Sequence, residues 1–230
     1  MRVFVFIGIS CINKERLVSK VSIFYPPISN RNLMSVTIFQ KKCKWALSSP
    51  LEEHYHDYEW GVPVHDDRLF FELLTLEGAQ AGLSWATILK KREAYREAFD
   101  NFEVSIIAGY DDAKLNKLLS NSGIVRNKLK LNSVITNARA FLGIQETFGS
   151  FDNYIWSFVD SRTLHNAQKN AVDIPVSSNL SELMSQDLKK RGFKFVGAVI
   201  CYAFMQATGL INDHTVDCFR YADIKKNCTD

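Results

Sequence analysis

The chain has 230 residues, 47% of them hydrophobic, and a formal net charge of +3. This length supports one domain or two small lobes, and the hydrophobic content excludes an intrinsically disordered protein. The mild basic excess permits nucleic-acid binding without establishing it. Five cysteines at irregular spacing argue against a disulfide framework, and no apolar run reaches the roughly 18 residues of a membrane span. We therefore expect a globular, cytoplasmic protein without a membrane segment.

The first 40 residues differ in composition from the rest. They begin MRVFVFIGISC and carry five basic residues against a single acidic one, Glu15. Three interpretations stay open: a targeting or transit peptide, a stretch upstream of a true start at Met34, and an extension that takes no part in the chemistry. We predict an N-terminal extension at residues 1–40, either disordered or targeting, and one functional domain at residues 41–224.

Apolar periodicity after residue 43 predicts an all-α fold. The apolar face of residues 69–74 predicts a helix capped by Asp66 or Asp67, and Ser84 is placed to cap the next helix. Each later helix is predicted to stop at a glycine. These helices cover residues 115–119 before Gly123, 131–142 before Gly143, 180–188 before Gly192, and the almost wholly apolar 195–208 before Gly209. No alternating pattern predicts a strand in this part of the chain.

One helix junction has a special composition. The sequence LLSNSGIVRNKLKLN predicts two helices joined by a hairpin at Gly123, with Arg126, Lys128 and Lys130 at the start of the second helix. Backbone N–H groups at a helix N-terminus bind phosphate well, and basic side chains add attraction that does not depend on base sequence. The pattern indicates a contact with a nucleic-acid backbone. An ordinary αα-hairpin has the same shape and stays an alternative.

Two cysteines and two histidines at the ends of this region could form a metal site. Cys43 lies close to His56, and His214 lies four residues before Cys218, a spacing that would put both side chains on one face of a helix. Two cysteines with two histidines are a common ligand set for structural zinc, which leaves no coordination position open for water. In the alternative interpretation these residues never meet.

Tyr55, Trp60 and Trp85 flank an acidic residue, Glu77, in the sequence. Aromatic faces attract a cationic ring, and a carboxylate accepts hydrogen bonds from an exocyclic amine, so this set suits a flat, positively charged base. Glu77 lies in TLEGAQAGLSW, where glycines and small residues leave space and allow close backbone approach. Core packing of the tryptophans and a surface position for Glu77 form the alternative.

Four long motifs in the chain resemble the bacterial 3-methyladenine DNA glycosylase I family. They are CKW at Cys43, YHDYEWGVPVHDD from Tyr55, LLTLEGAQAGLSWATILKKRE from Leu73 and LKKRGFKFVGAVICYAFMQATGLINDHTVDC from Leu188. The resemblance covers about residues 42–221. It implies the all-α fold of the helix-hairpin-helix glycosylase superfamily, with a structural Zn²⁺ that joins the N- and C-terminal parts.

The resemblance also implies roles for single residues. The expected zinc ligands are Cys43, His56, His214 and Cys218. The residues expected to bind the base are Tyr55, Glu77, Trp85 and Trp45, of which Glu77 is also the candidate catalytic residue. The residues expected to contact DNA are Gly82, Leu83, Gly123, Arg126 and Lys128. The G-x-G hairpin common in the superfamily is absent, which weakens the last assignment.

The implied activity is monofunctional removal of 3-methyladenine from alkylated double-stranded DNA by a monomer, with free 3-methyladenine as product. Adenine methylated at N3 is a cation and leaves as a neutral base, so we expect base flipping and selective binding of the cation instead of a general acid. Two rivals stay open. One is a helical DNA- or nucleotide-binding module without activity, and the other is an enzyme acting on free nucleosides.

Overall fold

The computed structural model describes residues 40–227 of the chain. Ten α-helices occur within these residues: α1 Pro50–Tyr58, α2 Asp67–Gln80, α3 Trp85–Ala98, α4 Val104–Ala108, α5 Asp112–Ser120, α6 Lys128–Phe148, α7 Phe151–Trp156, α8 Asn179–Lys190, α9 Ala198–Ala207 and α10 Phe219–Asn227. Short 3-10 helices lie at Lys44–Ser48, Asp100–Phe102, Ser157–Val159 and Ala171–Asp173. Two strands complete the described part: β1 Leu164–His165 and β2 Ile211–Asn212. The mostly helical architecture agrees with the predicted all-α class.

Helix α2 lies at the centre of the core. Residues 70–79 are all buried, and the helix contacts α3, α6, α7 and α9. Its start follows the prediction, because the side chain of Asp66 accepts a hydrogen bond from the backbone N–H of Leu69. Ser84 caps α3 in the same way, accepting from Thr87 N. Both caps satisfy N–H groups that a helix start leaves unpaired.

Strands β1 and β2 form a parallel pair that the sequence pattern does not predict. Leu164 pairs with Ile211 and His165 with Asn212, so the two segments join across more than forty residues. Each strand has two residues, and alternation becomes readable only over four or more. The pairing therefore leaves no periodic signal in the sequence.

Of the helix ends predicted before Gly123 and Gly143, only the second is wrong. Helix α5 ends at Ser120, before Gly123, because the Asn121 side chain accepts from Gly123 N at 2.8 Å and closes a turn there. Helix α6 continues through Gly143 and ends at Gly149, whose φ of 84° suits glycine. Burial of Ile144 on the same apolar face outweighs the roughly 1 kcal/mol helix penalty of Gly143.

The apolar helix predicted from residue 195 begins three residues later, at Ala198. The buried side chain of Asn137 donates to the carbonyl of Lys194 at 3.0 Å and accepts from its N–H at 2.7 Å. These two hydrogen bonds hold the backbone of Lys194 outside any helix, and Phe195 follows with a positive φ of 54°. The predicted ends at Gly192 and Gly209 agree with the structure, since both glycines have positive φ just after a helix.

Within residues 40–227, no helix is long and apolar enough to cross a membrane. The extension predicted at residues 1–40 lies outside the described residues except for Gln40. The proposed boundaries of the functional domain therefore stay a prediction.

Candidate functional site

The four predicted metal ligands meet in one buried cluster. Cys43 precedes the first 3-10 helix, His56 lies on α1, and His214 and Cys218 lie between β2 and α10. Their ligand atoms all lie within 4.8 Å of one another. The Sγ of Cys218 is 3.4 Å from His56 Nε2 and 3.6 Å from His214 Nδ1. Sulfur and nitrogen ligands of a tetrahedral zinc lie about 3.5 Å apart, so the set fits such an ion.

The prediction that His214 and Cys218 lie on one face of a helix is wrong. Both residues lie in a turn in which Cys218 N donates to Thr215 O at 2.8 Å, and α10 begins only at Phe219. Val216 N donates to Gln168 O in a distant loop, which draws the segment away from helical geometry. The turn nevertheless directs both side chains to the same point.

Hydrogen bonds outside the cluster orient both histidine rings. Nε2 of His214 is 2.9 Å from the carbonyl oxygen of Trp60, which can only accept, so Nε2 carries the proton and Nδ1 faces the sulfurs with a lone pair. Nδ1 of His56 lies 2.8 Å from Asp57 Oδ1, which leaves its Nε2 for the cluster. Metal-binding histidines commonly have such outer partners. The arrangement therefore suits a cation held by four protein ligands.

The two thiols differ in acidity. The hydrogen bond with Cys218 is the main cause that lowers the pKa of Cys43 to about 7, against an opposing effect of burial. The same hydrogen bond and burial raise the pKa of Cys218. Because metals bind the thiolate, a thiol that ionises near neutral pH favours metal binding. The buried group Cys43, His56, His214 and Cys218 could hold a metal ion.

A cavity of about 560 Å³ opens beside this cluster. The four predicted base-binding residues all line it: Trp45 in the first 3-10 helix, Tyr55 on α1, Glu77 on α2 and Trp85 at the start of α3. The rings of Tyr55 and Trp85 lie 5.2 Å apart between centroids, and those of Trp45 and Trp60 lie 5.1 Å apart and nearly perpendicular. These side chains, distant in the sequence, therefore share one aromatic cavity.

Three buried polar atoms of this cavity lack hydrogen-bond partners inside the protein. Among the described residues, four buried side-chain nitrogen or oxygen atoms have no hydrogen bond, and three of them line the cavity: Tyr55 Oη, Glu77 Oε2 and Trp85 Nε1. An unpaired buried polar atom costs roughly 1–3 kcal/mol of stability. Three such atoms around one cavity indicate a site for a ligand that supplies both donors and acceptors.

Burial controls the charge of Glu77. Burial raises the pKa of its carboxyl group to about 8. The pKa of the Tyr55 hydroxyl is also raised, first by burial and then by the neighbouring Glu77. A buried carboxylate of this kind gains much more from a cationic ligand than from a neutral one. A cationic ligand in the cavity would therefore stabilise the ionised form of Glu77.

Helix α9 contributes a wall of the cavity that no sequence motif predicted. Tyr202 and Gln206 line the cavity, and both donate to Oδ2 of the buried Asp213, at 2.7 Å and 2.8 Å. The two residues stand four positions apart in an otherwise apolar helix, and this i, i+4 polar pair was the available signal. A further apolar wall comes from Ile174 and its neighbours in the loop before α8, which no sequence pattern marked.

The predicted DNA-contact residues lie in two turns and at the start of α6. Gly82, with a φ of 81°, and Leu83, 42% exposed, follow α2. Arg126 and Lys128 are exposed at the start of α6. Gly123 packs closely, since a Cβ atom there would lie 2.8 Å from the Cβ of Ala94. Contacts of all five with DNA stay a prediction.

The N-terminus of α6 is partly occupied by its own cap. The side chain of Asn127 accepts hydrogen bonds from the N–H groups of Leu129 and Lys130, at 3.0 Å and 3.1 Å. Two of the backbone donors that a phosphate could use there are therefore already bound.

The chain is similar to known methyladenine glycosylases. The family model for methyladenine glycosylases matches residues 45–221. The chain is 45% identical to DNA-3-methyladenine glycosylase 1 of Escherichia coli over 181 residues, which is 79% of this chain and 97% of that protein.

Solved structures give the same result. A crystal structure of 3-methyladenine DNA glycosylase I has a TM-score of 0.76 at 47% identity, covering 78% of this chain and 98% of the other. A structure of the Staphylococcus aureus enzyme, described as the basis of its 3-methyladenine recognition, has a TM-score of 0.75 at 37% identity, with 77% and 95% covered. The chain therefore belongs to the bacterial 3-methyladenine DNA glycosylase I family, a family of N-glycosyl hydrolases.

Proposed function

We propose that this protein is a monofunctional glycosylase that hydrolyses the N-glycosidic bond of 3-methyladenine in alkylated double-stranded DNA. The observation that carries the proposal is the set of three unpaired buried polar atoms, from Tyr55, Glu77 and Trp85, around one aromatic cavity. A flipped purine presents ring nitrogens and an exocyclic amine at its edge, which are the partners that these atoms lack.

Selection of the damaged base follows from charge. A neutral adenine in the cavity would leave the carboxyl group of Glu77 in a poorly solvated site without a cation. An adenine methylated at N3 is positively charged and stabilises the ionised carboxyl group, while Tyr55 and Trp85 offer their ring faces to the same charge. Binding therefore becomes stronger when the base carries the lesion.

The reaction needs little further help from the protein. The cationic base leaves as a neutral molecule, so no general acid is required, and water attacks the oxocarbenium-like sugar while DNA phosphates balance part of its charge. Interactions that hold the flipped base most strongly as its glycosidic bond breaks accelerate the step. Glu77 is the proposed catalytic residue, acting through recognition and electrostatics. Monofunctional hydrolysis needs no Schiff-base lysine.

The other assignments complete the proposal. Gly82 and Leu83 would approach the gap left by the flipped base, and Gly123, Arg126 and Lys128 would contact the DNA backbone in a helix-hairpin-helix arrangement. The cluster of Cys43, His56, His214 and Cys218 would hold a structural Zn²⁺, which joins the first described residues to the last. A bound ion would have a structural and not a catalytic role, because four protein ligands leave no position for water. We further propose that the enzyme acts as a monomer in the cytoplasm.

The direct test is incubation of the protein with methylated DNA and identification of the released base by chromatography. We expect free 3-methyladenine and an intact abasic strand. Absence of any released base would leave the rival of an inactive binding module. Release from methylated nucleosides but not from DNA would favour the enzyme that acts on small molecules.

A substitution sharpens this test. Glu77→Gln keeps the side-chain volume but removes the negative charge, and we expect the single-turnover excision rate to fall about 100-fold. This loss corresponds to a charge-assisted hydrogen bond of about 2–3 kcal/mol. Glu97→Gln, at an exposed position of α3, is the matched control and should excise at the parent rate. An unchanged rate in Glu77→Gln would overturn the assignment of the cavity.

A further inference from the structure

We propose that Lys91 and Lys130 form a reciprocal clamp that fixes the two DNA-facing turns relative to each other, and that both are positioning residues instead of phosphate contacts. One turn, residues 81–83, follows α2. The other, residues 121–127, joins α5 to α6. The inference rests on the proposed function, since it concerns how that DNA surface is built.

Lys130 lies on α6, and its side chain extends to the turn at residues 81–83. Its Nζ donates to the carbonyl oxygen of Ala79 at 2.9 Å and to that of Ala81 at 2.6 Å. These carbonyls lie at the C-terminal end of α2, where helix carbonyls lack internal partners and the helix dipole favours a cation. Leu83 N donates to Gln80 O at 2.6 Å, so the turn is held from both sides.

Lys91 makes the opposite connection. It lies on α3, which follows the first turn, and its Nζ donates to the carbonyl oxygens of Ser122 and Gly123, at 3.1 Å and 3.2 Å. Gly123 also packs against Ala94 of the same helix, and no larger residue fits there without displacement. The turn after α2 is therefore held by Lys130 of α6, and the turn between α5 and α6 is held by Lys91 of α3.

The environment of the ammonium groups supports an internal role. Burial lowers the pKa of Lys130, which points to a group withdrawn from solvent. Both side chains are half-buried, whereas Arg126 and Lys128 beside them are exposed. The basic residues of this surface thus divide into exposed groups that can face phosphates and half-buried groups bonded to backbone carbonyls.

The clamp also connects the DNA surface to the cavity. Glu77 lies on α2, one helical turn before the C-cap residue Ala81, and Trp85 begins α3 two residues after Leu83. A turn held rigidly at this point would keep Leu83 aligned with the cavity when a base leaves the duplex. Pre-organisation of this kind speeds the step after DNA binding without adding a contact to DNA.

The test compares Lys130→Met, Lys91→Met, Lys128→Met and the exposed Lys90→Met by three measurements. The first is the single-turnover release of 3-methyladenine from methylated DNA at saturating enzyme. The second is the salt dependence of binding to a duplex with a tetrahydrofuran abasic site. The third is the affinity for free 3-methyladenine.

We expect Lys130→Met and Lys91→Met to slow release at least 10-fold, with an unchanged salt slope and less than a twofold change in affinity for the free base. Lys128→Met should instead reduce the slope by about 0.9, the value for one lost phosphate contact. Lys90→Met should behave as the parent, and Lys130→Arg, which keeps a donor, should recover part of the rate.

Three results would overturn the clamp. A slope reduced by about 0.9 in Lys130→Met or Lys91→Met would make that lysine a phosphate contact. Unchanged release in both variants would remove any role for the clamp. Equal losses of release and of free-base affinity would indicate a general structural defect. If the parent protein releases no 3-methyladenine, the proposed function fails, and this outcome is separate from all three.

Discussion

The metal cluster and the aromatic cavity lie side by side, and they differ in whether their buried polar atoms have partners. In the cluster, both ring nitrogens of His56 and of His214 have partners, and the thiols of Cys43 and Cys218 face those rings. In the cavity, three buried polar atoms have none. Trp60 belongs to both regions, since it lines the cavity while its carbonyl accepts from His214. The contrast separates a cluster that could hold a metal ion from a cavity whose buried polar atoms lack partners.

The largest effect is expected when one of the four cysteine and histidine side chains of the metal cluster is replaced. Cys43→Ser should lower the free energy of unfolding by at least about 3 kcal/mol, or about 6–12 °C in Tm for a domain of this size. Binding of a structural metal contributes directly to folding, which is the reason for the large effect. Thermal unfolding and zinc content by atomic emission are the measurements, with about one ion per parent chain expected.

Cys201→Ser is the matched control, because Cys201 is buried outside the cluster and its thiol donates to the carbonyl of Val196. This variant should retain the parent's zinc content. A parent protein without metal, or a Cys43→Ser variant as stable as the parent, would contradict the structural zinc.

The next test concerns the charge of Glu77 in the cavity without ligand. Its pKa is raised to about 8 by burial, so the folded protein binds a proton more tightly than the unfolded chain, whose value is near 4.5. The stability from this proton is complete below about pH 4.5 and is lost progressively up to about pH 8. We expect Glu77→Gln to match the parent at pH 4.5 and to be more stable by about 3 kcal/mol at pH 7. Urea unfolding across this pH range measures the difference.

Glu97→Gln again serves as the control, since an exposed carboxylate on α3 should leave the pH profile of stability unchanged. If the free energy of unfolding varies with pH in the same way in Glu77→Gln and in the parent, Glu77 is solvated or paired in solution. The proposed selectivity of the cavity for charge would then be contradicted.

The smallest expected effect comes from Tyr55→Phe. The hydroxyl has no partner in the protein, so its removal should leave the free energy of unfolding unchanged or raise it slightly. Affinity for 3-methyladenine should fall about 3- to 10-fold, the value of one neutral hydrogen bond of about 0.5–1.5 kcal/mol. Calorimetry of free-base binding and thermal unfolding together measure the two changes.

Tyr154→Phe gives the opposite pattern, because the Tyr154 hydroxyl donates to Asp187 at 2.8 Å. That variant should lose stability and keep its affinity for the base. If Tyr55→Phe is destabilised as much as Tyr154→Phe, the Tyr55 hydroxyl has a hydrogen-bond partner in solution, and the cavity does not differ from the cluster in this respect.

Local patterns accounted for much of the fold. The caps at Asp66 and Ser84 and the glycine ends at Gly192 and Gly209 depend on neighbouring residues, and the structure agrees with them. The predicted end at Gly143 failed because burial of Ile144 against distant helices outweighed a local preference. The start of α9 moved for a similar reason, a side chain from α6 bonded to Lys194.

The sequence by itself determined the mostly helical class, because helix periodicity is a local property. Side-chain chemistry and the family resemblance indicated the aromatic and acidic residues of the cavity and the four potential metal ligands, but left open whether those ligands meet. Only the tertiary structure decided that Glu77, Tyr55 and Trp85 keep unpaired polar atoms, that Tyr202 and Gln206 join their wall, and that Lys130 bonds carbonyls instead of facing solvent. Burial and hydrogen-bond pairing depend on which distant segments pack together, and a linear pattern does not contain that information.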